Sequence, residues 1–164
     1  MAEFSPKFKE ALSLVQKPGR YTGGEPGCVY KDKSRVDVRM AFCFPDTYEI
    51  GMSNLGMRIL YGIFNNMEGV WCERVFAPWG DMEEEMRSSG IPLYALESGD
   101  NVSDFDIVAF SIGYEMAYTT ILNMLDLAGI PIRSASRGEE HPLVIAGGTC
   151  CYNAEPIADF IDLF

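Results

Sequence analysis

The chain has 164 residues, of which 48% are hydrophobic and 23% charged, and its formal net charge is −11. This is the size and composition of one globular domain with a real core, which argues against extensive disorder. The negative charge argues against a nucleic-acid surface, because phosphate binding needs clustered Lys and Arg. No apolar run reaches the roughly 20 residues of a membrane span, and residues 1–6 lack the features of a signal peptide. We therefore expect a cytoplasmic protein.

Five cysteines occur, at positions 28, 43, 72, 150 and 151. An odd number in an apparently cytosolic chain argues against a disulfide framework. No CxxC or CxxxCxxC spacing is present, and the vicinal Cys150–Cys151 pair with the single His141 does not make a tetrahedral ligand set. We expect no metal site, and we expect most cysteines to be small buried hydrophobic residues.

The first part of the chain is predicted to be a helix followed by an irregular lead-in. Residues 5–15 have apolar positions at helical spacing, and the pattern stops at Pro18-Gly19. Residues 20–34 are rich in glycine and have no sustained period, which is typical of a loop or a short hairpin. We divide the chain into a lead-in segment, residues 1–35, and an α/β domain, residues 36–164.

Strands and helices alternate along the rest of the chain. Apolar runs predict strands at residues 38–44, 70–76, 107–111 and 142–146. Other patterns predict helices at residues 52–64, 81–88, 117–128 and 155–160, and further strand-like segments at 92–96 and 161–164. This alternation predicts an open parallel sheet of about five strands with helices on both faces, of the flavodoxin-like or Rossmann-like type. Because the last segment is apolar and strand-like, we expect the chain to be part of a longer protein.

Three polar or glycine-containing loops follow the predicted strands, at residues 46–51, 111–115 and 147–151. Right-handed crossovers bring the carboxyl ends of parallel strands to one edge, where open α/β sheets bind their ligands. The first loop also precedes a helix, whose N-terminal amides attract negative groups. Asp46 and Gly51 could contact a ligand there. Alternatively, Asp46 could cap the helix and Gly51 could be needed only for the turn.

The other two loops allow both a binding and a structural interpretation. Ser111 could donate to a ligand or cap the next helix. Gly147 and Gly148 let backbone amides approach a planar or phosphorylated ligand, although a tight turn needs only one glycine. Glu49 and Glu115 could converge as an acid–base pair. The chain lacks GxGxxG, GxxxxGK(S/T) and GxSxG, which argues against dinucleotide, P-loop and serine hydrolase sites.

The order of these loops resembles the cobalamin-binding domain of corrinoid proteins and cobalamin-type radical S-adenosylmethionine enzymes. The signature of that domain is DxHxxG, then SxL, then GG. Residues 46–51 keep its Asp and Gly, with Tyr48 in place of the histidine, while Ser111 and Gly147-Gly148 match the later motifs. The stretches RYTGGE (20–25), FPDTYEIGMS (44–53), ERVFAPW (73–79) and AGG (146–148) are similar to the N-terminal part of a family of uncharacterised bacterial radical S-adenosylmethionine proteins.

The resemblance implies a corrinoid held against the sheet edge. Its ring would lie on the first loop, and its nucleotide tail would pass the second and third loops. The implied cofactor-binding residues are Asp46, Thr47, Tyr48, Glu49, Gly51, Ser111, Gly113, Gly147, Gly148 and Thr149. In family members with the histidine, its imidazole is the lower axial ligand of cobalt, so Tyr48 implies that this face is not ligated by histidine. A flavin or another phosphorylated ligand at the same edge is an alternative.

The resemblance also implies a partner, the downstream radical module of the same polypeptide. S-adenosylmethionine and a 4Fe–4S cluster are expected only there, because the cluster motif CxxxCxxC is missing from these residues. This chain by itself is therefore not expected to be catalytic. The alternative function is a degenerate, ligand-free scaffold that packs on the downstream module. The oligomeric state stays open.

Overall fold

A computed structural model describes residues 5–164, so the first four residues of the predicted lead-in segment lie outside the described range. The helices are α1 (Pro6–Leu14), α2 (Tyr48–Ser53), α3 (Leu55–Asn65), α4 (Gly80–Ser89) and α5 (Ala117–Leu127), and the strands are β1 (Val38–Phe44), β2 (Val70–Phe76), β3 (Ile107–Ser111) and β4 (Leu143–Gly147). Short 3-10 helices lie at Pro18–Arg20, Lys33–Arg35, Val102–Asp104, Ser134–Ser136, Thr149–Asn153 and Glu155–Phe160. Within residues 5–164, no helix has the length and apolarity to cross a membrane.

The four strands form one parallel sheet in the order β2-β1-β3-β4. This confirms the predicted α/β fold, with four strands rather than about five. Leu163 makes a single parallel bridge to Ile145 of β4, so the strand expected at residues 161–164 is present only as a bridge in the fifth place. The strand order is that of flavodoxin-like sheets, whose topological switch point lies between β1 and β3.

Helices cover both faces of the sheet because the connections run in two directions. From β1 the chain passes through α2 and α3 to β2 on one side, and from β3 it passes through α5 to β4 on the other side. Right-handed crossovers in opposite directions place their helices on opposite faces. By the same rule α4, which joins β2 to β3, lies on the face of α5, and α1 packs on α4.

The helix predicted at residues 52–64 is two helices in the structure. Asn54 separates them, and its Oδ1 accepts a 2.9 Å hydrogen bond from the Met57 amide, which caps α3. The buried side of α3 carries Met57, Tyr61 and Asn65. The residues that gave the helical pattern are instead exposed: Leu55, Ile59, Leu60 and Ile63. Because α3 is apolar on more than one side, its periodicity did not identify the side that packs on the sheet.

One further segment differs from expectation, and the lead-in takes one of its two predicted forms. The expected strand at residues 92–96 forms only one antiparallel bridge, between Tyr94 and Asn101. Within that segment the Leu96 amide donates to the Arg74 carbonyl at 2.9 Å, so it lies along the outer edge of β2 without forming a ladder. The lead-in at residues 20–34 forms 3-10 turns and irregular backbone, so it is the predicted loop and not the hairpin.

Candidate functional site

The loop after β1 is shorter than the sequence predicted. Thr47 is the N-cap of α2, so residues 48–51 already belong to a helix. Asp46 lies just before it, and its Oδ1 accepts the Thr47 amide at 2.7 Å. Gly51 is buried within α2, and a Cβ there would lie 2.2 Å from the Phe76 ring. Gly51 therefore has a structural reason to be glycine, which is the close packing of α2 on β2.

Asp46 links the first loop to the loop after β3. Its Oδ2 accepts a hydrogen bond from the hydroxyl of Tyr114, across the switch point between β1 and β3. This bond, helped by partial burial, raises the pKa of Tyr114 to about 12. Tyr114 is 40% exposed, so the contact lies at the surface of the crevice. The Asp46–Tyr114 side-chain contact thus bridges the carboxyl edge of the sheet between β1 and β3.

The loop after β4 packs directly on the loop after β3. Gly148 has φ +117°, and a Cβ on it would lie 2.4 Å from the Ile112 carbonyl oxygen. A Cβ on Gly147 would instead point into open space. The hydroxyl of Thr149 donates to the Gly113 carbonyl at 3.2 Å. The two glycines therefore differ, because Gly148 is required by the backbone whereas Gly147 leaves the edge open.

Five of the predicted residues thus come together at the carboxyl ends of β3 and β4. Ser111 and Gly147 are paired in register, and the Ile112 amide donates to the Gly147 carbonyl at 2.7 Å. The five are Ser111, Gly113, Gly147, Gly148 and Thr149. Asp46, with Thr47 beside it, joins this group through the bond to Tyr114.

Tyr48 and Glu49 turn toward the lead-in segment instead. The Tyr48 hydroxyl donates to Glu25 Oε1 at 2.6 Å, and the ring packs edge-on against Phe76 with centroids 5.5 Å apart. Burial and the bond to Glu25 raise the pKa of Tyr48. The Glu49 carboxylate is ion-paired with Arg20 at 2.8 Å and with Lys17 at 3.4 Å. Both side chains are therefore engaged away from Tyr114.

A buried charged cluster adjoins Tyr48, and sequence reasoning missed it. Arg74 of β2 donates from its backbone amide and from Nε to Glu97, at 2.7 and 2.6 Å, and from Nη2 to Glu25 at 2.8 Å. Glu97 is 1% exposed and also accepts the Tyr61 hydroxyl at 3.0 Å. Burial alone would lower the pKa of Arg74, but Glu97 and Glu25 outweigh it and raise the pKa.

This cluster borders a cleft of about 500 Å³ that is lined by residues 25–29, α2, α3 and β2. The signal available in the sequence was the charged Glu73-Arg74 pair inside an apolar strand. Its partners lie 23 and 49 residues away from Arg74. No local pattern could have identified them.

The fold and the edge together define an α/β domain of the flavodoxin-like type, with an open glycine edge beside its switch point. Residues 56–164 match the family described as radical SAM proteins, N-terminal. The chain belongs to this family, which confirms the radical S-adenosylmethionine part of the resemblance. The matched stretch begins after the loop at residues 46–51 and contains Ser111, Gly147 and Gly148.

A relative from an archaeon is also similar to the chain. An uncharacterized protein of Methanocaldococcus jannaschii is 23% identical over 126 residues. The match covers 76% of this chain and 22% of that protein, so the chain spans a small part of that relative.

Proposed function

We propose that this domain is a corrinoid-binding accessory domain of a radical S-adenosylmethionine protein. The observation that carries the proposal is the open edge at Gly147 beside the switch point, where a Cβ would meet nothing within 4 Å. Gly147, Gly148 and Thr149 are all exposed there. A flat ligand can approach exposed backbone only where side chains are absent. Ligands of open α/β sheets bind at this edge.

At this edge a corrinoid would be held without an imidazole ligand. His141, the one histidine of the chain, lies before β4 at the amino end of that strand, where its Nδ1 accepts the Gly138 amide at 3.1 Å. Tyr48, in the place of the histidine motif, is bound to Glu25. The lower face of the corrin would therefore have no histidine ligand from residues 5–164.

The proposal assigns the predicted residues to three places. Ser111, Gly147, Gly148 and Thr149 would contact the nucleotide tail. Asp46, Thr47 and Gly113 would lie at the margin of the ring, with Asp46 released from Tyr114. Tyr48, Glu49 and Gly51 would support that margin from α2. When bound, a corrinoid would supply cobalt chemistry, such as methyl-group transfer. S-adenosylmethionine and a 4Fe–4S cluster would bind elsewhere in the full-length protein.

Titration of the purified chain with hydroxocobalamin tests the proposal, with visible spectra and calorimetry as readouts. We expect saturable binding by the wild-type chain and a loss of at least about tenfold in affinity for Gly147→Leu, about 1.4 kcal/mol. Gly62→Leu is the matched control. A Cβ added at Gly62 would also meet open space, but Gly62 lines the cleft between residues 25–29 and α3, away from the edge at Gly147. Folding of each variant is checked by circular dichroism. Absence of saturable binding by the folded chain, or equal binding by Gly147→Leu, would overturn the proposal.

The second candidate is a ligand-free scaffold that packs on the rest of the polypeptide. The observation in its favour is that edge side chains already satisfy one another, since Tyr114 binds Asp46 and Tyr48 binds Glu25. It predicts that the folded chain takes up neither hydroxocobalamin nor flavin mononucleotide in the same titration. Uptake of flavin mononucleotide alone would favour the flavin alternative.

A further inference from the structure

The two faces of the sheet are covered to different extents. On the face covered by α4 and α5, every strand has a fully buried side chain. The residues with 0% exposure there are Ala41, Val75, Val108 and Val144. The other face opens progressively toward β4. One row of residues in register shows this gradient: Cys72 (0% exposed), Met40 (7%), Ile107 (partly buried) and Leu143 (46%).

Helix α3 covers only the β2 and β1 side of this second face. Its Phe64 packs edge-on against Phe42 of β1, with ring centroids 5.9 Å apart. The flank with Arg58 and Gly62 borders the cleft shared with residues 25–29 and β2. At 100° per residue, Leu60 lies about 160° from Arg58 on the side of Phe64, which contacts β1, and Ile63 lies between Leu60 and the outer side of the helix. This flank is therefore the one toward β3 and β4.

That flank is apolar and exposed. Leu60 is 38% exposed and Ile63 is 53% exposed, whereas Ile59, at 51%, lies on the outer side of α3. With Ile107, Leu143 and Ile145 on the sheet, which are partly buried or exposed, Leu60 and Ile63 mark an uncovered apolar surface, which we call the α3–β4 groove. Parallel sheets are normally covered on both faces, and a contiguous apolar surface of this kind marks an interaction site.

The shape and charge of the molecule indicate which occupant fits the groove. The uncovered part of this face belongs to two strands, β3 and β4, which at the usual strand spacing span about 10 Å, the diameter of one helix. An amphipathic helix lying beside α3 would cover it. A second copy of the chain is disfavoured, because each copy has a net charge of −11 and the two would repel. A helix of the same polypeptide can bind in the groove without bringing two negatively charged copies of the domain together.

The path of the chain places its last residues next to the groove. The Asp162 amide donates to the Val144 carbonyl at 2.8 Å, and the Ala146 amide donates to the Leu163 carbonyl at 2.9 Å. The chain therefore leaves along β4, toward the carboxyl edge, one strand position away from Ile145. The matching relative is much longer than the aligned stretch, since the alignment covers 22% of it.

We propose that the α3–β4 groove binds an amphipathic helix of the same polypeptide, from the segment that follows Phe164 in the full-length protein. This helix completes the cover of the sheet and attaches the rest of the protein to this domain. The inference does not depend on the corrinoid proposal, because the groove lies on the face of the sheet and the corrinoid site at its carboxyl edge.

Thiol labelling of the full-length protein, resolved by peptide mass spectrometry, tests the groove. Single cysteines are introduced as Ile63→Cys and Leu143→Cys. The control is Leu14→Cys on α1, where Leu14 is 62% exposed and lies on the other face. We expect both groove cysteines to react at least about tenfold more slowly than the control, since buried thiols react only after local opening.

Two results would overturn the inference. One is labelling of Ile63→Cys and Leu143→Cys as fast as Leu14→Cys. The other is protection that disappears on dilution, which would assign the groove to a second copy of the protein. Protection that is independent of concentration, and that is lost when the segment after Phe164 is removed, supports the proposed helix. None of these readouts involves a corrinoid, so they stand apart from the titration with hydroxocobalamin.

Discussion

Tyr48 donates a 2.6 Å hydrogen bond to Glu25, which fastens α2 to the lead-in segment. Glu25 also accepts from Arg74 at 2.8 Å, so the bond belongs to a cluster that reaches the buried Glu97. Tyr48 lies where the corrinoid signature has its histidine. The residue in that place is therefore held by the domain itself, on the side away from the Tyr114 contact.

Replacing Tyr48 by histidine is not expected to restore axial ligation. An imidazole at this position would lie against Glu25 and Phe76, and a protonated imidazole would pair with the Glu25 carboxylate. We expect the electron paramagnetic resonance spectrum of bound, reduced cobalamin to show no nitrogen splitting from a protein ligand in Tyr48→His. The double variant Tyr48→His/Glu25→Ala is the comparison, because it removes the competing carboxylate. Nitrogen splitting from the protein in the single variant would contradict this account.

Loss of the Glu25 carboxylate should destabilise the fold in a pH-dependent way. Burial alone would raise the pKa of Glu25, but bonds from Tyr48, Cys28 and Arg74 outweigh it and lower the pKa from 4.5 to about 2. A lowered pKa contributes stability above pH 4.5 that is lost as the pH falls toward 2. We expect Glu25→Gln to cost about 2 kcal/mol at neutral pH, allowing for partial solvent exposure, and less in acid.

Urea unfolding at neutral pH and at about pH 3 measures this difference. Glu84→Gln is the matched control, since Glu84 lies on the exposed side of α4. We expect Glu84→Gln to change the free energy of unfolding only slightly at both pH values. A cost for Glu25→Gln that does not change between the two pH values would show that the carboxylate charge is not what stabilises the cluster.

The two glycines after β4 should respond differently to the same substitution. Alanine at position 148 would have to adopt φ +117° with its Cβ 2.4 Å from the Ile112 carbonyl. We expect Gly148→Ala to lower the free energy of unfolding by about 1–3 kcal/mol. Gly147→Ala should change it by about 0.5 kcal/mol or less, because its Cβ meets open space. Equal effects in denaturant unfolding would mean that the loop is not held against Ile112.

Removing the Tyr114 hydroxyl should ease ligand entry at the switch point. A ligand that uses Asp46 must displace Tyr114, so Tyr114→Phe removes a competitor for that carboxylate. We expect hydroxocobalamin to bind several-fold more tightly to Tyr114→Phe, with about 1 kcal/mol or less change in unfolding free energy. Tyr152→Phe is the control, as Tyr152 is 99% exposed. Weaker binding by Tyr114→Phe would show that its hydroxyl contributes to the ligand site.

The strands were predictable because their signal is local. The apolar runs at residues 38–44 and 70–76 have the same bounds as β1 and β2, and those of β3 and β4 agree within one residue. Buried parallel strands read as short apolar runs, and alternation with helices fixes the parallel arrangement. The meeting of Ser111 and Gly147 at one edge of the sheet could be predicted from that arrangement.

Side-chain directions were not predictable in the same way. Ile59 and Ile63 are exposed because of the way α3 packs on the sheet. The apolar pattern of α3 does not indicate which side of the helix packs there. The ion pair of Arg74 with Glu97 joins residues from separate elements. Glu97 alone reads as an ordinary surface charge, and Arg74, although it stands in an apolar strand, gives no indication of its partner.

By itself, the sequence determined the α/β class, the order of strands and helices along the chain, and the loops that meet at the carboxyl edge of the sheet. These follow from local patterns and from the handedness of crossovers, which act within one or two elements. Only the tertiary structure decided that Tyr48 binds Glu25, that Gly148 is required where Gly147 is free, and that one sheet face stays open beside α3. These depend on contacts between distant parts of the chain, and such contacts exist only once the whole sheet is packed.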